Sequence, residues 1–592
     1  MPNFIKFFNE LGIKDVPVVG GKNASLGEMY RNLAVNKIKV PNGFATTAEA
    51  YNFFMEKAGL KDRIRKILAG LNTKDVNDLA NRGTAVRDEI LKCKLPKELE
   101  KEVITAYKAL SKEYKTNNLD VAVRSSATAE DLPDASFAGQ QETYLNIRGE
   151  KKLLEAVKKC IASLFTNRAI SYRVDKGFDH FKIALSVGVQ KMIRSDLAAS
   201  GVMFSIDTES GFSNVVLINS IYGLGENIVQ GKVNPDEFYV FKPTGAIISR
   251  SIGQKKIKMI YNTGSSKPTK DIAVPLTEQH KPSITDTQVR KLAEWAMVIE
   301  KHYGRGMDIE WALDGQDKEL YIIQARPETI HSVRDYNILE EYKIEKGGKI
   351  ITTGQSVGNK IGAGIANRIM DIKDIDKFKK GEVLITDMTD PDWEPIMKIA
   401  SAIVTDKGGR TCHAAIVSRE LGIPCVVGTN NVSAKIKSGK PVTVSCAEGE
   451  KGFVYEDKVP FKILKTDIKN FAKPKTKIMM NVGEPDMAFQ LSFIPNDGVG
   501  LARLEFIINN YIKIHPLALI NFTRLKDKSV KKHIDNLTIG YKDKSKFFVD
   551  KLAEGVATIA AAFYPKDVIF RLSDFKSNEY ANLIGGREFE PV

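Results

Sequence analysis

The sequence predicts a multidomain α/β protein, on three observations. At 592 residues the chain is too long for one hydrophobic core and has to divide. Short β-branched runs, "IALSVGVQKMI" (183–193), "GVMFSI" (201–206) and "NVVLINSIYG" (214–223), recur among stretches of helical periodicity. Two charged, weakly periodic stretches, 331–352 and 456–477, read as linkers, and the second holds seven lysines and two prolines in 22 positions. Around them lie blocks over 1–335, 353–455 and 477–592.

Composition narrows the class. With 43% hydrophobic and 27% charged residues the chain is globular rather than disordered. The formal net charge is +15, but the lysines are spread along the chain without a basic–aromatic repeat, so nucleic acid is not expected as a partner. No apolar run approaches the roughly 18 residues of a membrane span. The start "MPNFIKFFNELGIKD" lacks a signal core, which makes a cytoplasmic location the expectation and membrane a partner to exclude. Five cysteines, none in a CxxC pair, suggest neither a disulfide framework nor a cysteine zinc site.

In the first block, "GGKNASLGEM" (20–29) places Lys22 after two glycines and Ser25 at a plausible N-cap. In "VAVRSSATAEDLPDASFAGQQETYLNI" (121–147) a β run ends at Arg124, Ser125 and Ser126, followed by a glycine-containing loop and another strand. A guanidinium with hydroxyls can cradle phosphates, and the same residues would suit a salt-bridged surface turn. "MDIEWALDGQDKELYIIQARPET" reads as two strands, 307–313 and 319–325, joined through Asp314-Gly315. Asp308 and Glu310 share one face of the first strand, as do Gln324 and Arg326 at the end of the second. If the strands pair, carboxylates, an amide oxygen and a guanidinium converge. Oxygen ligands of this kind suit Mg²⁺, although a solvated sheet face would look the same.

In the second block, "DKGGRTCHAAIVSRELGIPCVVG" (406–428) carries one of seven histidines. Gly408-Gly409 can turn backbone N–H groups toward one point, and Ala414, Val417 and Leu421 define one face of a helix that Gly422 stops. His413 therefore stands in a first turn, where the helix dipole disfavours imidazolium and favours an attached anion. Arg410 and Thr411 are expected to place a guanidinium and a hydroxyl beside it, a set suited to a phosphoryl group. In the third block, "GVGLARLEF" (498–506) and "VIFRLSDFKSNEY" (568–580) each put an arginine, Arg503 and Arg571, near a strand end.

The segment "GGRTCHAAIVSRELGIPCVVGT" closely resembles the phosphohistidine segment of the phosphoenolpyruvate synthase (pyruvate, water dikinase) family, in which the matching histidine is phosphorylated. Cys412 favours this branch, since pyruvate, phosphate dikinase and the first enzyme of the phosphotransferase system usually carry serine there. The three N-terminal segments resemble the ATP-grasp domain of the same family in the same order, and the last two resemble the first strands of its phosphoenolpyruvate/pyruvate-binding barrel. The resemblance implies an ATP-grasp nucleotide-binding domain, a swivelling phosphohistidine α/β domain and an incomplete (β/α)₈ barrel. It implies that Lys22 and Arg124 contact ATP phosphates, that Glu310 and Gln324 hold Mg²⁺ with Asp308 and Arg326 close by, and that Arg503 and Arg571 hold pyruvate or phosphoenolpyruvate. "GLGENIVQGKVNPDEF" (223–238) also matches, with no role assigned to Glu226, Gln230 or Pro235.

The implied reaction converts ATP, pyruvate and water to phosphoenolpyruvate, AMP and phosphate through phosphorylated His413, in the gluconeogenic direction. A domain swing between two sites would use the two linkers. Residues 477–592 number 116, against about 250 for a (β/α)₈ barrel. The sequence-based expectation is therefore an open sheet edge, an uncovered core face and competence for the ATP half-reaction alone, unless a second chain completes the barrel; a homodimer is equally compatible. The alternatives are a non-catalytic remnant, a phosphohistidine regulatory module, or an ATP-grasp/phosphohistidine phosphotransferase that would place its histidine domain last.

Overall fold

The structure is a computed structural model, and it describes residues 3–73, 75–128, 143–175, 177–262, 267–328, 338–390, 393–467 and 474–590. Two antiparallel sheets build the N-terminal domain. The first runs in the order Ile5–Phe7, Gly43–Thr46, Leu185–Lys191, Val121–Ala127, Thr143–Ile147; the second runs Leu320–Pro327, Met307–Leu313, Ala199–Phe204, Val215–Tyr222, Asp236–Phe241, Ala246–Ser251. The predicted hairpin is present, with Asp308 opposite Arg326 and Glu310 opposite Gln324 and a bulge just after Glu310. The glycine-containing loop expected after Ser126 falls on 129–142, outside the described residues.

Helix Val16–Asn32 packs against both sheets. It breaks at Gly20, where φ is 73° and a Cβ would lie 2.3 Å from the Ser126 hydroxyl oxygen, so only glycine lets the helix approach that strand. The helix restarts behind the break, which leaves Lys22 in a first turn. Ser25, expected as the N-cap, is instead inside the helix, and its hydroxyl donates to the Ala325 carbonyl at 2.7 Å, tying the helix to the second sheet. Ser125 and Ser126 are also placed otherwise than expected: both are buried, and the Ser126 Oγ accepts the Asn23 N–H at 3.4 Å rather than facing a ligand.

The 223–238 segment is held from below by Asp236 and Lys255, an ion pair with both side chains fully buried. Asp236 also accepts the Ser283 N–H and O–H, each at 2.7 Å, and the Gly253 N–H at 3.1 Å, which satisfies its remaining lone pairs.

The middle domain is a closed barrel of seven strands, from Ile350–Val357 to Lys451–Glu456. Its strands Val383–Thr386, Ala402–Thr405 and Cys425–Val427 are parallel, and helix His413–Leu421 makes the crossover between the last two. Cys412 caps that helix and Gly422, at φ 65°, ends it; Ala414, Ala415 and Val417 drive its inner face into the core.

The two stretches read as linkers are not simple coils. Ile338–Ile344 and Phe461–Asp467 pair antiparallel as an isolated ribbon, with Lys465 and Glu340 bridged at 2.6 Å. The lysine-rich composition concealed the second strand, which is exposed from Lys462 to Asp467; its apolar residues Phe461 and Ile463 find partners only on pairing, opposite Ile344 and Tyr342.

In the C-terminal domain, Met480–Val482, Gly498–Arg503 and Asp567–Arg571 form a parallel three-stranded sheet. Its helices Pro485–Ser492 and Lys544–Phe563 lean on the second N-terminal sheet. Phe489 stacks on Phe212 at 4.7 Å, and Ile559 shares a buried cluster with Tyr239 and Phe241. The expected uncovered face is therefore partly covered by the first domain, while Ile569 and Leu572 remain exposed. Among the described residues, no helix is long and apolar enough to cross a membrane.

Lys255→Met should destabilise the N-terminal domain by about 3–5 kcal/mol, because it strands the buried Asp236 carboxylate. Urea unfolding followed through Trp295 and Trp311 measures this, and the double variant with Asp236→Leu is expected to recover most of the loss. An unchanged midpoint in the single variant would contradict the role given to the pair.

Candidate active site

A cavity of about 480 Å³ lies between the two N-terminal sheets, and the middle domain supplies part of its wall. Lys22, Arg124, Glu310 and Gln324 line it from the N-terminal domain and His413 from the middle domain; Met192, Leu224 and Trp311 supply apolar wall. The pairing of the 307–313 and 320–327 strands brings the predicted set together. Arg124 Nη2 donates to Glu310 Oε2 at 2.9 Å and to Gln324 Oε1 at 2.5 Å, and Nη1 donates to the Ile323 carbonyl at 3.1 Å. One carboxylate and one amide oxygen thus stand side by side, a hard-oxygen pair that fits Mg²⁺, which keeps several waters and shares substrate phosphates. Arg326 Nε binds Asp308 at 2.8 Å; burial pushes the Asp308 carboxyl up, and Arg326 opposes that.

Three further residues line the cavity without having been given a role from the sequence. Glu226 accepts the Gln230 amide at 2.7 Å, and burial, reinforced by the Glu310 charge, raises its carboxyl. Arg168, in "TNRAISYR", adds a cation. The segment holding Glu226 and Gln230 was visible as a motif, whereas Arg168 carries no spacing signal. Only packing of helix Asn167–Asp175 brings Arg168 here.

His413 is 7% exposed, and its Nδ1 lies 3.0 Å from the Thr389 hydroxyl. Burial and the positive charge of Arg168 push the imidazole down to about 3. Burial and Arg168, rather than the helix start, thus hold the ring neutral. In the tautomer with the proton on Nδ1, donated to Thr389, the lone pair is on Nε2. The loop before it is tightly fitted. Gly408 has φ 104°, and a Cβ there would lie 2.7 Å from Cys412 Sγ; a Cβ on Gly231 of the N-terminal domain would lie 2.6 Å from Cys412 Cβ. Cys412 is thus a small residue at a close interdomain contact.

Arg410 and Thr411 are not placed as the sequence suggested. Arg410 is buried and turned toward carboxylates, with Nη1 3.0 Å from Glu450 and 4.0 Å from Glu237, and it lines a second cavity of about 130 Å³. The negative charge there outbids a place beside His413. The Thr411 hydroxyl is buried with no hydrogen-bond partner among the described residues. Arg503 and Arg571 stand opposite one another on adjacent parallel strands. Arg571 Nη2 contacts Glu505 and Asp574, each at 2.9 Å, while Arg503 is exposed. Neither lines the cavity between the N-terminal sheets.

Because the docked ring holds a proton more weakly than its ordinary value of 6.5, docking is favoured while the ring is neutral. That contribution is present above 6.5 and is lost as the pH falls below it, by up to about 1.4 kcal/mol per unit. An NMR titration of the His413 ring should find it still neutral at pH 5, and a midpoint near 6.5 would show the ring to be exposed.

The comparisons with known proteins follow the same division. Residues 16–346 match the family described as "Pyruvate phosphate dikinase, AMP/ATP-binding domain", 378–449 match "PEP-utilising enzyme, mobile domain", and 463–589 match "PEP-utilising enzyme, PEP-binding domain". The phosphoenolpyruvate synthase of Aquifex aeolicus is 52% identical over 648 residues, covering 99% of this chain and 76% of the relative. Those of Synechocystis and Escherichia coli K12 are 54% and 53% identical, each covering 99% of this chain and 74% of the relative. The chain spans about three quarters of the length of these relatives. With all three domains matched in order and half the residues shared along nearly its whole length, the chain belongs to the phosphoenolpyruvate synthase family.

Proposed function

We propose that the chain is a pyruvate, water dikinase that converts ATP, pyruvate and water to phosphoenolpyruvate, AMP and phosphate through phosphorylated His413. The observation that carries this reading is the neutral, shielded His413 ring in the wall of a cavity that also holds Lys22, Arg124, Glu310 and Gln324. Lys22 and Arg124 hold the phosphates of ATP, and the apolar wall takes the base. Nε2 attacks the β-phosphorus and displaces AMP; water then takes the γ-phosphoryl group as phosphate, leaving one phosphoryl group on the ring. Thr389, accepting from Nδ1–H, holds the reactive tautomer. Mg²⁺, held by Glu310 and Gln324, would neutralise charge on the phosphate oxygens.

The histidine domain then leaves the nucleotide cavity on its two-stranded ribbon and presents the phosphoryl group at the C-terminal sheet, where Arg503 and Arg571 hold pyruvate. Splitting the transfer this way lets two sites with unlike requirements share one group. A phosphotransferase with its histidine domain last does not fit, since a domain of the PEP-binding type follows here.

Incubation with ATP labelled at the β-phosphate tests the reading. His413→Ala should take up no acid-labile label, and Glu310→Ala should take up none while still folding. Thr389→Val should label at least about tenfold more slowly, because it releases the tautomer and the ring orientation. Wild-type labelling in His413→Ala would remove the assignment.

A further inference from the structure

Glu209 stands on the N-terminal domain, between strands Ala199–Phe204 and Val215–Tyr222. Its carboxylate nevertheless serves the histidine domain. Oε1 accepts from Arg419 Nε at 3.0 Å and also from Arg419 Nη2, and Oε2 accepts the Gly358 N–H at 2.7 Å. Gly358 lies in the turn between Ile350–Val357 and Ile361–Arg368, at φ 78°. Arg419 lies on the His413 helix, six residues on and about 9 Å along its axis. The Arg419 and Glu209 side chains are 6% and 19% exposed. A guanidinium held through Nε and Nη2 in a shielded place is unlike an exposed surface pair, whose contribution is slight.

Arg410 forms a second, looser ion pair across the same boundary. It is anchored within its own domain by Glu450 and lies 4.0 Å from Glu237 of the N-terminal domain. The two arginines therefore bracket His413 at positions −3 and +6. Between them the surfaces meet with little space: a Cβ on Gly409 would lie 3.2 Å from Pro235 Cδ, and one on Gly231 would lie 2.6 Å from Cys412 Cβ. The 223–238 motif thus supplies cavity residues at Glu226 and Gln230 and a seat for the 408–412 loop at Gly231 and Pro235.

We propose that Arg419 and Arg410 are positioning residues that clamp the histidine domain to Glu209 and Glu237, and that this clamp, rather than contact with the nucleotide, is their task while His413 faces the cavity. The labelling readout below rests on the phosphohistidine reading, and the exchange readout does not.

The test uses the full chain with Glu209→Arg, Arg419→Glu and the double charge swap. Amide exchange at 356–360 and 408–412 should rise in each single variant and return toward wild type in the swap. The rate of β-labelling of His413 should fall about 30-fold or more in each single variant, as for one partner of a shielded charge pair, and recover to within about fivefold in the swap. The Kd for MgATP should stay within about threefold throughout. Glu209→Gln, which keeps the shape and removes the charge, gives the same reading if a reversal fails to fold, and Arg410→Lys should label within about fivefold of wild type while Arg410→Gln falls further. Unchanged exchange in the single variants, affinity for MgATP lost in step with labelling, or a folded swap without recovery would each overturn the clamp. Failure of the wild type itself to label would count against the phosphohistidine reading instead, and the exchange pattern would still decide the clamp.

Discussion

A buried, neutral imidazole in the wall of a cavity shared by two domains is the condition that the rest of this structure serves. Neither domain meets it alone. The histidine domain supplies the ring and its Thr389 partner, while the N-terminal domain supplies the facing wall and the Arg168 cation that opposes protonation. The ring is buried in this way only while the two surfaces meet, so the contact has to be close. That is why glycines stand at 231 and 409 and a residue no larger than cysteine at 412. A side chain at Gly231 would meet Cys412 Cβ at 2.6 Å and push the surfaces apart, and one at Gly409 would press on Pro235.

The same contact has to be reversible, and its chemistry reflects that. It is made of charged pairs and close backbone approach rather than of a shared apolar core. One member is poorly compensated: burial pushes the Glu237 carboxyl up to about 7 even though the Arg410 guanidinium opposes it. An interface that leaves a carboxylate partly desolvated gives back free energy when it opens. The ribbon of Ile338–Ile344 and Phe461–Asp467 fits this requirement. Two strands without a third neighbour or a buried face are marginal on their own, and they join the barrel to its neighbours through a narrow, twistable strap.

The cavity itself depends on register. Because Asp308 pairs with Arg326 and Glu310 with Gln324, all four polar side chains face one way, and a slip of one residue would send them to the other side of the sheet. Arg124 reaches across from the other sheet and bonds the two oxygens that suit a metal, so a cation already occupies the place where positive charge is needed. The break at Gly20 completes the arrangement by allowing the Lys22 helix to lie directly on the Arg124 strand.

Much of this was legible in the sequence because it is local. The glycine pair, the helix start at His413 and its stop at Gly422, the hairpin at 307–327 and the alternation that puts Glu310 and Gln324 on shared faces all follow from spacing and backbone preference over fewer than about 25 residues. What the sequence could not determine is which charges find one another across domains. Arg410 is three residues from His413, and proximity in the chain predicted a shared task; the competing carboxylates of Glu237 and Glu450, 173 and 40 residues away, turned it elsewhere. Arg168, Thr389 and Glu209 have no local signature, since their roles arise only when separate elements pack. The ribbon was hidden for a related reason: its pairing is between segments more than 100 residues apart, and its short apolar row forms only when they meet. Local geometry is written in neighbouring residues, whereas long-range electrostatics and strand pairing are decided by which surfaces the folded chain brings into contact.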